Sequence, residues 1–308
     1  MKIIRNYTNI LPEFQNSVLA LGNFDGIHLG HCEVLKTTIA IAKEKKLPSA
    51  VMSFEPHPLK LLKDIHNVRM FSLQDKIRFI KDSGIDILFL LHFTAKFSEL
   101  SASQFLKNIL IDHIKINHLV TGSNFIFGKN RSGNVDYLQK QSDVLNYGFT
   151  KIIPHKCSDN NITYSSTNIR KYLKSGNISQ IKHLLGRNYS ITGKVVKGQN
   201  IGTQIGYHTA NIELKDRFRP KFGVYAVKIH FNNSQTTHKG VANLGSRPTV
   251  PGDQELLEVH IFDFCDNIYG KKITVEFISF IREEKKFNNI DELKTQITKD
   301  CIASSKLL

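Results

Sequence analysis

The apolar periodicity of the 308-residue chain changes once, at Gly186-Arg187, and this change limits the fold more than any other feature. From Ser17 to about Pro154, short apolar runs alternate with longer segments of helical period, the pattern of βαβ units on a parallel sheet. Strands are expected at Val18–Leu21, Ala50–Phe54, Ile87–Leu91, His118–Thr121 and Thr150–Pro154, with crossover helices at Glu33–Lys46, Leu73–Ser83 and Ala102–Ile114. Such units stack into three α/β layers, with a ligand site beyond the carboxyl ends of the strands. A helical stretch, Thr167–Leu185, precedes the change. After it come Ser190–Val196, Ala210–Leu214, Val224–Phe231, His238–Ala242, Leu256–Phe264 and Ile273–Ile281, separated by Gly, Asn and Pro turns and followed by a helix at Ile290–Ile302. This second region is expected to be an antiparallel sheet or barrel closed by a C-terminal helix. The chain length fits two domains, 1–186 and 187–308.

Composition narrows the function classes. With 41% hydrophobic and 22% charged residues and only 8 prolines, the chain is not a disordered or low-complexity sequence. No apolar run nears the ~20 residues of a membrane span, and Met1–Tyr7 lacks the apolar stretch of a secretory leader, so a cytoplasmic protein is expected. Cys32, Cys157, Cys265 and Cys301 form no C-x-x-C pair, which signals neither zinc nor a redox motif. The net charge of +15 would suit nucleic acid or phosphorylated small molecules and does not choose between them; with no block of five like charges, it reads first as a Lys- and Asn-rich composition without a specific target.

The first expected strand runs into Gly22-Asn23-Phe24-Asp25-Gly26-Ile27-His28-Leu29-Gly30-His31 and then a helix. Glycines let such a loop turn tightly and approach a ligand, and the helix start offers unpaired N–H groups and a positive dipole end for phosphate. His28 and His31, three apart, can face one side and donate to phosphate oxygens as charge builds. A second segment, Ser165-Ser166-Thr167-Asn168-Ile169-Arg170, places three hydroxyls and a guanidinium at a helix start. Gly122 and Gly128-Lys129 are spaced one residue too far for a Walker A loop, and Asn130 stands where Ser or Thr is required. No G-x-G-x-x-G dinucleotide fingerprint occurs.

The order of these segments resembles the H-x-G-H and C-terminal phosphate motifs of Rossmann-like nucleotidylyltransferases. More closely, Leu21–His31, Ser53–Pro58, Phe93–Ser101, Gly122–Gly133 and Ser165–Arg170 resemble the adenylyltransferase module of prokaryotic bifunctional riboflavin kinase/FAD synthetases. The resemblance implies that the FMN phosphate attacks the α-phosphorus of ATP and pyrophosphate leaves. It assigns His28 and His31 to the α-phosphate, Asn124 to the nucleotide or flavin phosphate, and Ser165, Ser166, Thr167 and Arg170 to the departing phosphates. Gly22, Phe24 and Gly26 belong to the same ATP loop. Positioning and donors suffice for a loose transition state with spread charge.

In the second region, Gly198–Gly206 followed by Tyr207-His208-Thr209-Ala210-Asn211 resembles the Gly-rich loop and Pro-Thr-Ala-Asn motif of riboflavin kinases, with Gly202 and Gly206 at the ATP. Thr209 and Asn211 alternate across Ala210, so their oxygens share a face and can help hold Mg²⁺ and the terminal phosphates. Asn243–Val250, Leu257–Phe264 and Phe280–Phe287 complete the match. By resemblance Glu258 is the base that takes the proton from the riboflavin 5′-hydroxyl, and Arg247 and Arg282 are flavin-side residues. His208 replaces the usual Pro and Thr203-Gln204 replaces a commonly basic segment, so a slowed kinase is expected. The implied substrates are ATP, riboflavin and FMN with Mg²⁺, without a nucleic-acid or membrane partner. Two competing readings are an FAD synthetase with an impaired kinase domain and a basic nucleic-acid-binding protein, the latter lacking any interleaved aromatic and basic pattern.

Overall fold

A computed structural model describes residues 1–153, 162–197, 206–231, 236–247 and 254–308, without the side chains of Arg247 and Gln254. The chain forms two compact units: Met1–Arg69 with Leu73–Ser165, and Met70–Ser72 with Ser166–Leu308.

The first unit is built on a six-stranded sheet in the order β1-β4-β3-β2-β5-β8, all neighbours parallel. The strands are β1 (Lys2–Ile4), β2 (Val18–Leu21), β3 (Ser49–Glu55), β4 (Ile87–His92), β5 (His118–Gly122) and β8 (Gly148–Ile152), with a small hairpin of β6 (Ile126–Phe127) and β7 (Gly133–Asn134) between the last two. Successive residues of the central strands alternate between two cores: Leu19, Leu21, Met52 and Phe89 in one, Val18, Ala20, Val51 and Leu88 in the other. Both faces are therefore covered, which is why these strands read as nearly continuous apolar runs, with Ser53 of β3 an exception. Helices α1 (Leu29–Lys45) and α3 (Leu73–Asp82) supply Val34, Leu35 and Ile80 to the second core. The helix α5 (Ala102–Gln104), continued as a π-helix over Phe105–His113, and α6 (Val135–Val144) supply Phe105, Ile109 and Leu138 to the first. Short helices α2 (Pro58–Leu62) and α4 (Ala95–Ser98) follow β3 and β4.

Three details depart from the periodicity. The edge strand β1 is too short to show a pattern, β8 begins at Gly148 rather than Thr150, and the expected single helix over Thr167–Leu185 is two. These are α7 (Ser166–Ser175) and α8 (Ile178–Leu185), separated at Gly176, whose φ of 73° is the left-handed conformation that ends a helix.

The second unit is a closed antiparallel barrel in the order β10-β13-β12-β11-β14-β9. Its strands are β9 (Tyr189–Val196), β10 (Thr209–Glu213), β11 (Gly223–Phe231), β12 (Thr237–Arg247), β13 (Gln254–Ile261) and β14 (Lys272–Arg282). Tyr189, Tyr225 and Phe277 are fully buried; Tyr225 meets Phe277 edge to face with ring centroids 4.9 Å apart, and Tyr189 packs on Phe277 in a tilted contact at 5.5 Å. The C-terminal helix α9 (Ile290–Leu307) starts at Asn289, whose side chain accepts from the Glu292 N–H, and it runs five residues beyond the expected end. It is fastened to the barrel by the Ser304 hydroxyl, which donates to the Gly240 carbonyl at 2.8 Å.

Candidate active sites

In the first unit the chain winds β2, β3, β4 to one side and then returns to β5 on the other flank of β2. The reversal opens a crevice at the carboxyl ends of β2 and β5, where open α/β sheets bind their ligands. The loop after β2 occupies this place in a strained form: Phe24 and Ile27 have φ of 49° and 39°, and Gly26 has 88°. Burial compensates the strain, since Phe24 is 1% and Ile27 4% exposed. The Ser53 hydroxyl on β3 holds the loop by donating to the Asn23 carbonyl at 3.0 Å.

His28 is the N-cap of α1, its Nδ1 accepting from the His31 N–H at 3.2 Å. That bond fixes the unprotonated nitrogen at Nδ1 and leaves Nε2–H as the donor. The two imidazoles stack with centroids 3.7 Å apart and planes 14° from parallel, and Phe24 packs against His31. The expected shared face of the two histidines is thus present, at the positive end of a 17-residue helix. Gly30 allows a close approach here: a Cβ would lie 3.2 Å from both His28 Nδ1 and the Cβ of Tyr164, tighter than an ordinary contact. Tyr164 therefore lays the chain against the helix start, one residue before Ser165, the last residue of the first unit. Ser166, Thr167 and Arg170 lie on α7, in the second unit, with Ser166 and Arg170 one turn apart and half-buried. Asn124 is exposed in the loop after β5, next to Ser123, whose N–H donates to the Ile152 carbonyl at 2.8 Å.

The charges around this loop were not visible in the sequence motif. Asp25 is 7% exposed, and burial pushes the Lys76 ammonium of α3 down to about 8, with Asp25 opposing the shift and Arg69 adding to it. Arg69 itself forms an ion pair with Glu55 at the end of β3. Phe54, Phe93, Phe97, Phe105 and Phe127 make a run of aromatic contacts with centroids 5.5–6.0 Å apart, starting near the ends of β3 and β4.

The second unit builds its site from strand register. Asn211 of β10 is opposite Glu258 of β13, Glu258 is opposite Asn243 of β12, Asn243 is opposite Val224 of β11, and Val224 is opposite Arg282 of β14. Directly opposed residues share a face, so one row of side chains crosses five strands. The next row places Thr209 opposite His260. Glu258 is half-buried between buried Leu257 and Val259, as the alternation required. A cavity of about 190 Å³ lies over these rows, lined by Thr209, Asn243, Glu258, His260, Arg282 and Glu284 together with Leu293, Ile297 and Asp300 of α9. A second cavity of about 310 Å³ is lined by His208, Thr209, Val259, Phe264, Ile268 and Tyr269. Thr209 lines both cavities.

Arg282 lines the first cavity, but its donors are largely engaged. Nε and Nη2 bind the Asp300 carboxylate at 2.8 and 2.6 Å, and Nη1 donates to the Glu283 carbonyl at 2.8 Å. Asp300 is 4% exposed and also accepts from Gln296, so this pair joins β14 to α9 as a wall of the cavity. Glu284 packs against Gly245, where a Cβ would fall 1.8 Å from its Oε1. Burial raises its pKa, a hydrogen bond with Asn243 and the charge of Arg282 oppose this, and the like charge of Glu258 adds to it. Asn211 is 3% exposed. Of the remaining expected residues, Gly206 begins the approach to β10 with φ of 86°, while Gly202 and the Arg247 side chain lie outside the described residues.

Asn243, His260, Glu284 and Asp300 were not singled out in the sequence. Asn243 and His260 lie inside segments that carried the resemblance and share the alternation that marked Glu258. Asp300 had no local signal, because its partner is 18 residues away.

Comparison with known proteins agrees with this division. Residues 11–168 match the FAD synthetase family model and residues 185–308 the riboflavin kinase model. Proteins described as bifunctional riboflavin kinase/FMN adenylyltransferase match over nearly the whole length: 40% identical in Buchnera aphidicola subsp. Schizaphis graminum (97% of this chain, 96% of the relative) and 37% in Escherichia coli K12 (97% and 96%). A solved structure from Streptococcus pneumoniae, described as a macrolide-efflux protein, aligns with a TM-score of 0.83 and 31% identity over 97% of this chain and 96% of its own. The efflux description belongs to that protein; among the described residues here no helix is long and apolar enough to cross a membrane. Both modules are present at this identity, and the activities are ATP-dependent phosphorylation of riboflavin to FMN and adenylylation of FMN to FAD. The chain belongs to the bifunctional riboflavin kinase/FMN adenylyltransferase family.

Proposed function

We propose that the two chemistries use the two sites separately, and that the row Asn211–Glu258–Asn243 beside Thr209 carries the kinase step. Riboflavin enters the cavity holding Glu258 and ATP the cavity holding Phe264 and Tyr269, because only this arrangement puts an acceptor hydroxyl beside the carboxylate and the terminal phosphate at Thr209. Glu258 takes the proton as the 5′-oxygen forms its bond to the γ-phosphorus, and the bond to the β–γ bridging oxygen breaks to release ADP.

Thr209 and Asn211 supply a hydroxyl and an amide oxygen, hard oxygen donors of the kind that hold Mg²⁺ together with nucleotide phosphates. When bound, the ion neutralises phosphate charge. The half-buried Thr209 and the 3% exposed Asn211 fit such a ligand set.

In the first unit an FMN phosphate oxygen attacks the α-phosphorus of ATP and pyrophosphate leaves. His28 Nε2–H and the first N–H groups of α1 stabilise the charge that builds there, with His31 stacked behind. Gly22, Phe24 and Gly26 shape the ATP loop, Asn124 binds a substrate phosphate, and Ser165 binds the pyrophosphate. Arg282 shapes the flavin cavity as a wall held by Asp300 rather than as a free donor. The ligands are these small molecules and not nucleic acid.

Incubation with riboflavin, ATP and Mg²⁺, with flavins resolved by chromatography, tests the reading. FMN and FAD should both form. FAD formed only from supplied FMN would mean that the kinase half is inactive.

A further inference from the structure

We propose that His260 is the positioning residue for Thr209, fixing the threonine hydroxyl at the junction of the two cavities by holding the peptide that precedes it. The inference deepens the kinase reading and rests on Thr209 as a ligand of the nucleotide. His260 Nδ1 lies 2.9 Å from the carbonyl oxygen of His208. A carbonyl only accepts, so Nδ1 carries the proton, and the ring is fixed in that tautomer or doubly protonated. The bonded carbonyl belongs to the His208–Thr209 peptide, so the contact restrains the backbone on which the Thr209 side chain turns.

The ring cannot easily leave this position. It meets Tyr207 edge to face at 5.1 Å and Phe262 at 5.8 Å, and it stands opposite Thr209 in the β10–β13 register. Tyr207 is anchored in turn by its hydroxyl, 2.8 Å from that of Thr298 on α9. The restraint falls where this sequence needs one. His208 occupies the position at which the resemblance leads one to expect Pro, and a His leaves φ free where Pro would fix it. The hydrogen bond from the neighbouring strand acts on the adjoining angle, holding the His208 carbonyl and so its ψ where no ring restrains φ.

Three variants of the full chain test this. His260→Phe keeps an aromatic ring against Tyr207 and removes the donor; His260→Asn keeps an N–H near the position of Nδ1; Thr209→Val removes the hydroxyl that is to be positioned. In FMN formation from riboflavin, His260→Phe is expected to raise KM for ATP at least tenfold, a larger factor than any change in KM for riboflavin, whose cavity the ring also lines, and His260→Asn to recover most of the loss. FAD formation from supplied FMN, carried by the other unit, should stay at the wild-type rate and reports that the chain is folded. Long-range ¹H–¹⁵N spectra of ¹⁵N-histidine-labelled wild-type protein at pH 8 should show one imidazole locked as the Nδ1–H tautomer, a signal absent in His260→Phe. A neutral Nε2–H form for His260, an unchanged KM for ATP in His260→Phe, or an equal rise in both KM values would overturn the proposal. If Thr209→Val also leaves KM for ATP unchanged, the kinase reading of Thr209 fails with it; if only His260→Phe does, the positioning role fails alone.

Discussion

In the proposed reading the two units solve the same problem, presenting phosphate to a flavin oxygen, with opposite uses of the backbone. In the first, donors come from a loop and a helix start at the ends of parallel strands, and geometry is set by positive φ values at Phe24, Gly26 and Ile27. In the second, the polar groups lie on strand faces, and geometry is set by register across five strands. A loop site is adjusted by single backbone angles and is sensitive to each. A register site is tied to the ladder of the barrel and tolerates local change, provided that the row stays aligned.

The sharpest way to break this comparison is to remove one reacting group from each site. Glu258→Gln keeps the shape of the row and deletes the proposed base, so FMN formation should fall by roughly 10²–10⁴-fold while FAD formation from FMN is unchanged. His28→Ala should do the reverse, lowering FAD formation by about 10²–10³-fold with FMN formation spared. Only the histidine change should also cost stability, about 1 kcal/mol, because it removes the N-cap of α1 as well as the donor. Paired rate assays and denaturation curves check both. Loss of both activities in either variant would mean that the sites are not separate.

Single methyl groups sharpen the comparison further. Gly30→Ala puts a Cβ 3.2 Å from His28 Nδ1 and from Tyr164 Cβ, and both must yield by a few tenths of an ångström. Since a 1 Å misplacement costs about 10²-fold, FAD formation should drop roughly fivefold. Gly245→Ala collides with the end of the Glu284 side chain, 1.8 Å away, which can swing aside. FMN formation should drop only about twofold, because Asn243 and Glu258 keep their cross-strand pairing. A larger loss in Gly245→Ala than in Gly30→Ala would reverse the contrast drawn between the two sites.

The same contrast explains what could be read from the chain. The central strands of the first unit were visible because two buried faces leave few polar interruptions, and the histidine pair because a helix brings residues three apart together. Glu258, Thr209 and Asn211 were visible through the family resemblance of the segments around them, since polar residues alternating along a strand by themselves mark only a solvated face. Invisible features depend on the third dimension. The strand β1 has three residues and gains its place only by pairing with β4. The π-helical winding of Phe105–His113 leaves the apolar pattern almost unchanged. Asn243 acquires meaning only once register sets it opposite Glu258, and Asp300 only once α9 lies against β14.

The smallest expected effect separates catalysis from stability inside the register site. Burial, with a contribution from the charge of Glu258, raises the pKa of Glu284 in the folded chain, so the fold binds this proton more tightly than the unfolded chain does. The ionised carboxylate therefore opposes folding at neutral pH. The opposition fades as pH falls through the raised value and is gone below the ordinary Glu range near 4.5. Glu284→Gln retains an acceptor for Asn243 and removes the charge, so the thermal midpoint should rise by about 1–2 °C at pH 7 and show no gain at pH 4. The pH dependence is the discriminating part, since a gain of equal size at both pH values would come from packing and not from the two neighbouring carboxylates. If Glu284→Gln instead lowers the midpoint at pH 7, Glu284 is held by attraction to Arg282 more strongly than it is opposed by burial, and the row across the barrel is stabilised by its charges rather than strained by them.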